Sequence, residues 1–143
     1  MENNNFYNLT DEDVETLRLL DLQLYGNLVF IVSDVLSYIS TIESIDLVYS
    51  KYENTSENLP DPDVPALQSA YLAVIARSIL FDIGFARYGH LVEKFNNGEI
   101  DFSLSPDEDI NLGNIFGMIS YMYFLRGVMG IYERDLSLPV FGL

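Results

Sequence analysis

The residues best able to do chemistry are few, and they do not converge. His90 is the single histidine and shares a helical face with Glu93. A di-iron or di-manganese bundle needs a glutamate from each of two helices and a Glu-x-x-His pair from each of the other two. Here the order is reversed and there is no second copy. His90 is therefore read as a partly exposed histidine near a helix carboxyl end. Asp107, Glu108 and Asp109 lack the alternating oxygen ligands and central glycine of a calcium loop, and neither Asp61 nor Asp63 supplies them. The sequence contains no phosphate loop with lysine, no Gly-x-Gly-x-x-Gly and no Gly-x-Ser-x-Gly elbow. Absence of cysteine excludes disulfides, thiolate metal sites and cysteine nucleophiles, and it fits a reducing compartment. A serine triad could be built only on His90, and nothing singles out its companions. The chain is read as a non-enzyme, with no catalytic, metal or cofactor site.

More informative are Asp34, Arg77, Asp82, Arg87 and Arg126, each set inside a strongly apolar helical stretch. Arginine keeps its charge when buried, so a core arginine needs a carboxylate or several carbonyls. Arg77 and Arg126 lie among large apolar neighbours, and Asp34 and Asp82 are their candidate partners on other helices. One reading is a structural ion pair that fixes helix register. The other is a polar pocket containing Arg77 or Arg126 that takes a small anionic or apolar ligand.

The charge balance bounds the partners. Twenty-two acids against seven basic residues give a formal net charge of -15, which repels phosphate backbones and anionic lipid heads. Nucleic-acid binding is not expected, and an acidic surface favours a basic protein partner. The acids gather near Glu15, between Glu43 and Asp63, and between Glu99 and Asp109, while helix interiors carry few. That placement suits helix dipoles and solvated loops better than a phosphate mimic.

These residues must be positioned by three long helical stretches within one domain, 1–143. Thr10 offers a hydroxyl cap with Asp11, Glu12 and Asp13 in the first turn. From there a seven-residue seam runs Val14, Leu17, Asp21, Leu24, Leu28, Ile31, Val35, Tyr38, Ile42, Ile45, Tyr49, Tyr52, apolar at every position but Asp21. Thr16, Gln23, Ser33, Ser37, Ser40, Ser44 and Ser50 make its outer, wet face. Gly26 is the place where this helix would bend or break, although the seam keeps register across it. After the proline-rich linker up to Pro65, with Asp63 as a cap, a second helix is apolar on every side and ends near Gly98, which can close it in the left-handed conformation. Ser105-Pro106 with the acids that follow starts a third, which is again apolar nearly all round. In it Gly113, Gly117, Ser120 and Gly127 fall in one narrow sector, offering close approach to the central helix with its Ala70, Ala73 and Ala76.

The expected fold is all-α, an antiparallel bundle of three long helices, or four segments if the first breaks at Gly26. Two all-round apolar helices exceed what one amphipathic helix can cover, so a homodimer is expected, with the apolar tail at Leu138, Val140, Phe141 and Leu143 as a possible interface. Met1 to Tyr7 is polar, so no export signal is expected. In the last helix Arg126 interrupts the apolar span before it reaches about 20 residues, and both flanks are acidic, so a buried soluble helix is the default over a membrane span. The sequence therefore points to a cytoplasmic, non-enzymatic interaction or assembly protein. A ligand-binding bundle and a membrane-associated subunit are the other two readings.

Overall fold

Thr10 and Asp13 cap each other at the start of the first helix. The Asp13 backbone N–H donates to Thr10 Oγ1 at 3.2 Å, and the Asp13 carboxylate accepts from the Thr10 hydroxyl and backbone N–H at 2.7 and 2.9 Å. The computed structural model describes residues 9–53 and 59–137, and these form three helices with no strand among them: α1 (Asp11–Glu53), α2 (Asp63–Asn96) and α3 (Ser105–Ser137). Helix α1 runs unbroken through Gly26, so the four-segment alternative falls away. Gly26 serves as a seat, since a Cβ there would meet Leu80 Cδ2 at 3.1 Å and Ile79 Cγ2 at 3.3 Å.

The other ends follow the same local rules with two corrections. Asp63 does not cap α2; it is the first residue of the helix, and its backbone N–H donates to Asp61 Oδ1 at 3.0 Å. At the far end of α2, Gly98 takes φ 72° and donates to the Phe95 carbonyl at 3.1 Å, the left-handed closure its position implies. Helix α3 includes Ser105 itself, whose N–H donates to Ser103 Oγ at 3.2 Å, while Asp107 and Glu108 both donate to the Leu104 carbonyl at 3.0 Å.

Helix α2 is the middle of the layer and packs antiparallel against both neighbours, while no backbone approach joins α1 to α3 among the described residues. Phe30 of α1 and Tyr121 of α3 reach past α2 to meet, ring centroids 5.6 Å apart. Side-chain pairs fix the register: Lys94 with Glu12 and Ser69 with Ser33 on one side, Tyr88 with Glu108 and Tyr71 with Met129 on the other.

The interior is built from small residues. Buried positions on α2 are Pro65, Ser69, Ala70, Ala73, Ala76 and Ile83, and α1 contributes Leu19, Gly26, Ser33 and Ser50. This overturns the expected seam of α1 and part of its expected wet face, on which Thr16, Ser37 and Ser44 are exposed as expected. Ser33 and Ser50, assigned to a wet side, are buried, and the heptad seam assigned to the interior is bare, from 40% exposed at Ile42 to 84% at Tyr52. Backbone proximity explains the inversion. A glycine and serines let α2 come close enough for Ser33 Oγ to donate to the Ser69 carbonyl at 2.9 Å, a distance at which a leucine could not fit.

Candidate functional site

Three features converge on the flanks of α2: a charge-poor belt, a polar seat inside it, and the bare seam of α1. Residues 22–42 of α1 carry one charge, Asp34. Residues 64–86 of α2 carry Arg77 and Asp82, and residues 110–132 of α3 carry Arg126. The antiparallel register brings these stretches level. Asp21, Arg87 and Asp109 mark one end, and Glu43, Asp63 and Glu133 mark the other. At 1.5 Å per residue the belt is about 32–35 Å tall. All three helices are long and apolar enough to cross a membrane by length and composition.

Within the belt the usual placement of side chains is inverted. Leu24, Ile31, Val35, Phe116, Met122 and Phe124 are exposed, while the residues turned inward are mostly alanine, serine and glycine. Two hydroxyls are turned back on their own helices: Thr41 donates to the Ser37 carbonyl at 2.9 Å and Ser78 to that of Val74 at 2.9 Å.

Arg77 lies against α3. Its Nη2 donates to the Gly113 carbonyl at 3.2 Å, and the guanidinium covers Gly117 so closely that a Cβ there would stand 2.6 Å from Cζ. Nε of Arg77 is buried without a partner. Two turns along, Gly84 takes Asn114 and Asn111, with a would-be Cβ 2.5 Å from Asn114 Nδ2 and 3.1 Å from Asn111 Oδ1; neither amide atom of the buried Asn111 is hydrogen-bonded.

The expected ion pairs do not form among the described residues: the salt bridges are Arg18–Glu15, Lys94–Glu12 and Arg134–Asp135. Asp34, Asp82 and Arg126 are all exposed, and Arg77 pairs with a carbonyl instead of a carboxylate. Of the small sector of α3, Gly117 seats a side chain of α2, whereas Gly127 has open space around it and Ser120 is exposed. Arg126 lines a shallow concavity of about 430 Å³ with Ile119, Met122 and Tyr123. The tail residues Leu138, Val140, Phe141 and Leu143 lie outside the described residues. Sequence reasoning missed Ser33, Ser69, Gly84 and Asn111; the seven-residue spacing of Gly26, Ser33 and Ser40 was the available signal.

Beyond the belt, one end holds a concavity of about 560 Å³ whose wall includes Glu12, Glu15, Arg87, His90, Glu93 and Lys94. Lys94 in this wall is paired with Glu12, and Glu15 with Arg18. The hydrogen bond to Glu12 raises the pKa of Lys94, and the hydrogen bond from Arg18 lowers that of Glu15. Among the described residues no group of three or more His, Asp or Glu is placed to hold a metal ion. Comparison with protein-family models, with curated proteins and with solved structures finds no match, so the function is argued from this geometry alone.

Proposed function

We propose that the chain is a membrane-embedded, non-enzymatic assembly subunit, three helices crossing the bilayer with both ends acidic. The observation that carries the reading is the register of the three charge-poor stretches, which form one belt with many large apolar residues exposed and with buried positions that are mostly small. Its height of about 32–35 Å matches a hydrocarbon core of about 30 Å with modest tilt. Between helices that are solvated by lipid, small residues and interhelical hydrogen bonds drive packing, as Ser33–Ser69 and Arg77–Gly113 do here.

The opposing effect is electrostatic. The acidic ends are repelled by anionic headgroups, at about 1 kcal/mol per charge near the surface and falling off within a Debye length. Removing one Leu, Ile or Phe from water contributes about 1.5–3 kcal/mol, and the belt offers many such residues. The apolar term wins. Acidic flanks also weigh little on insertion, since Lys and Arg set orientation. This reading takes the place of the cytoplasmic bundle expected from sequence and keeps its assembly role.

The test is fractionation of the expressed full chain. It is expected in the membrane pellet, resistant to an alkaline carbonate wash and released by mild detergent. Recovery as a monodisperse species without detergent would sink the proposal.

A further inference from the structure

The membrane reading leaves one residue at a disadvantage. Asp34 sits near mid-belt, exposed, and a carboxylate there costs about 2.5–3.5 kcal/mol on insertion scales. It flanks the heptad seam, which carries a second acid, Asp21. The seam therefore has both a bare apolar face and two exposed acids that make no hydrogen bond among the described residues, and what covers it must answer both.

We propose that the seam is covered by α1 of a second copy lying antiparallel, the two chains being inserted in opposite orientations. The inference rests on the membrane reading for its orientations, and on the seam alone for its pairing. In a parallel pair equivalent seam positions meet, so Asp21 would face Asp21 of the second copy and Asp34 would face the side chain of Ile39. Neither acid would gain a donor from the second copy, and one pair would repel. An antiparallel pair offers a register that sets Leu28 against Ile31 and Leu24 against Val35. The same register puts Asp21 opposite Tyr38, whose hydroxyl can donate, and Asp34 opposite Asn27, whose amide can donate. Two-fold symmetry makes each of these contacts twice. All four polar residues are exposed on the protomer and free to meet a neighbour. The overlap, residues 14–45, is about 48 Å long, and it sets the two belts about 7.5 Å out of level, an offset that helix tilt must absorb.

Opposite insertion needs a chain with no preferred orientation, and the basic residues meet that condition. Of the seven, Arg77 and Arg126 lie within the belt. Arg18, Arg87 and Lys94 stand at one end, and Lys51 and Arg134 at the other. Three against two is too small a difference to set one topology, because the excess of Lys and Arg is what orients a chain.

The chain has no cysteine, so introduced ones report cleanly. Leu17→Cys and Ile42→Cys variants, separately tagged, are co-expressed and their membranes are oxidised with copper phenanthroline. The expected product is a mixed disulfide dimer, with neither variant cross-linking alone. Cross-linking of each variant with itself would overturn the antiparallel arrangement, and no cross-link in any combination would overturn pairing through the seam. Separately, Asn97→Cys is labelled in intact cells with a membrane-impermeant maleimide. About half of the molecules should react before lysis, whereas labelling of all or none would overturn the opposed orientations. Recovery of the chain in the soluble fraction would overturn the membrane reading and the opposed insertion with it, while the disulfide pattern would still decide whether the seam pairs.

Discussion

The guanidinium of Arg77 lies over Gly117, filling the space that any side chain at that position would need. Gly117→Ala should therefore force the arginine off its seat and break its bond to the Gly113 carbonyl, at a cost of about 1–3 kcal/mol. Without the arginine the alanine has room, so the same change in an Arg77→Ala background should cost far less. The double-mutant cycle, read by thermal unfolding in detergent, is expected to give a coupling of about 1–2 kcal/mol. Additive effects would mean that Arg77 reaches Gly113 by another path.

Asn111 is the second polar residue pressed into this interface, buried with neither amide atom hydrogen-bonded. An unpaired buried amide costs about 1–3 kcal/mol, so Asn111→Leu should raise the melting temperature. Its neighbour behaves in the opposite sense: Gly84→Ala pushes a methyl group into Asn114 and should lower it. A fall in melting temperature for Asn111→Leu would show that the amide has a partner of its own.

How much of this is legible in the sequence divides by the kind of information needed. Helix ends follow from local chemistry, so Thr10 with Asp13 and Gly98 can be read directly. The three-helix, all-α arrangement follows from long apolar stretches parted by a proline linker and Asn97-Gly98. The faces of α1 cannot be read the same way. A rule that turns large apolar residues inward assigns Ser33 to the surface, whereas Ser33 is what α2 touches. Arg77 stands out in sequence as an arginine needing oxygen, but its partner is a backbone carbonyl exposed by glycines, which carries no charge signal. The membrane question turns on register. Arg126 shortens the apolar run of α3 taken alone, and only the alignment of three such runs makes a belt.

The contact between Ser33 and Ser69 yields a graded prediction. Ser33→Ala removes one buried hydrogen bond and keeps the close approach, at a cost of about 0.5–1.5 kcal/mol. Ser33→Leu must drive the helices apart, with overpacking that costs about 1–3 kcal/mol or more. Hydrogen exchange should localise the second effect to amides of α1 and α2 around that level and spare the far part of α3. A leucine variant as stable as the alanine variant would mean that the α1–α2 face is not closely packed.

Acidification should act with opposite signs at two places beyond the belt. Burial, with the neighbouring carboxylates of Asp61 and Asp135, raises the pKa of Asp63, and this outweighs the pull of Arg134. An acid whose folded pKa is raised holds its proton more tightly in the folded state. Its charge therefore weighs against folding at neutral pH, and that burden is relieved as pH falls through the folded value towards the unfolded one. Asp13 and Glu15 run the other way. The hydrogen bonds from Thr10 and Arg18 respectively lower their pKa values, so their contribution is present above the unfolded values and is lost as pH falls through the folded ones. Asp63→Asn should consequently melt above the parent at pH 7, with the gap closing as the parent's own Asp63 is protonated. The counter-argument is the helix dipole, which favours an acid in the first turn of α2. If the dipole prevails over the neighbouring carboxylates, melts from pH 7 down to pH 4 will show the asparagine variant below the parent at the neutral end, and the sign assigned to Asp63 is wrong.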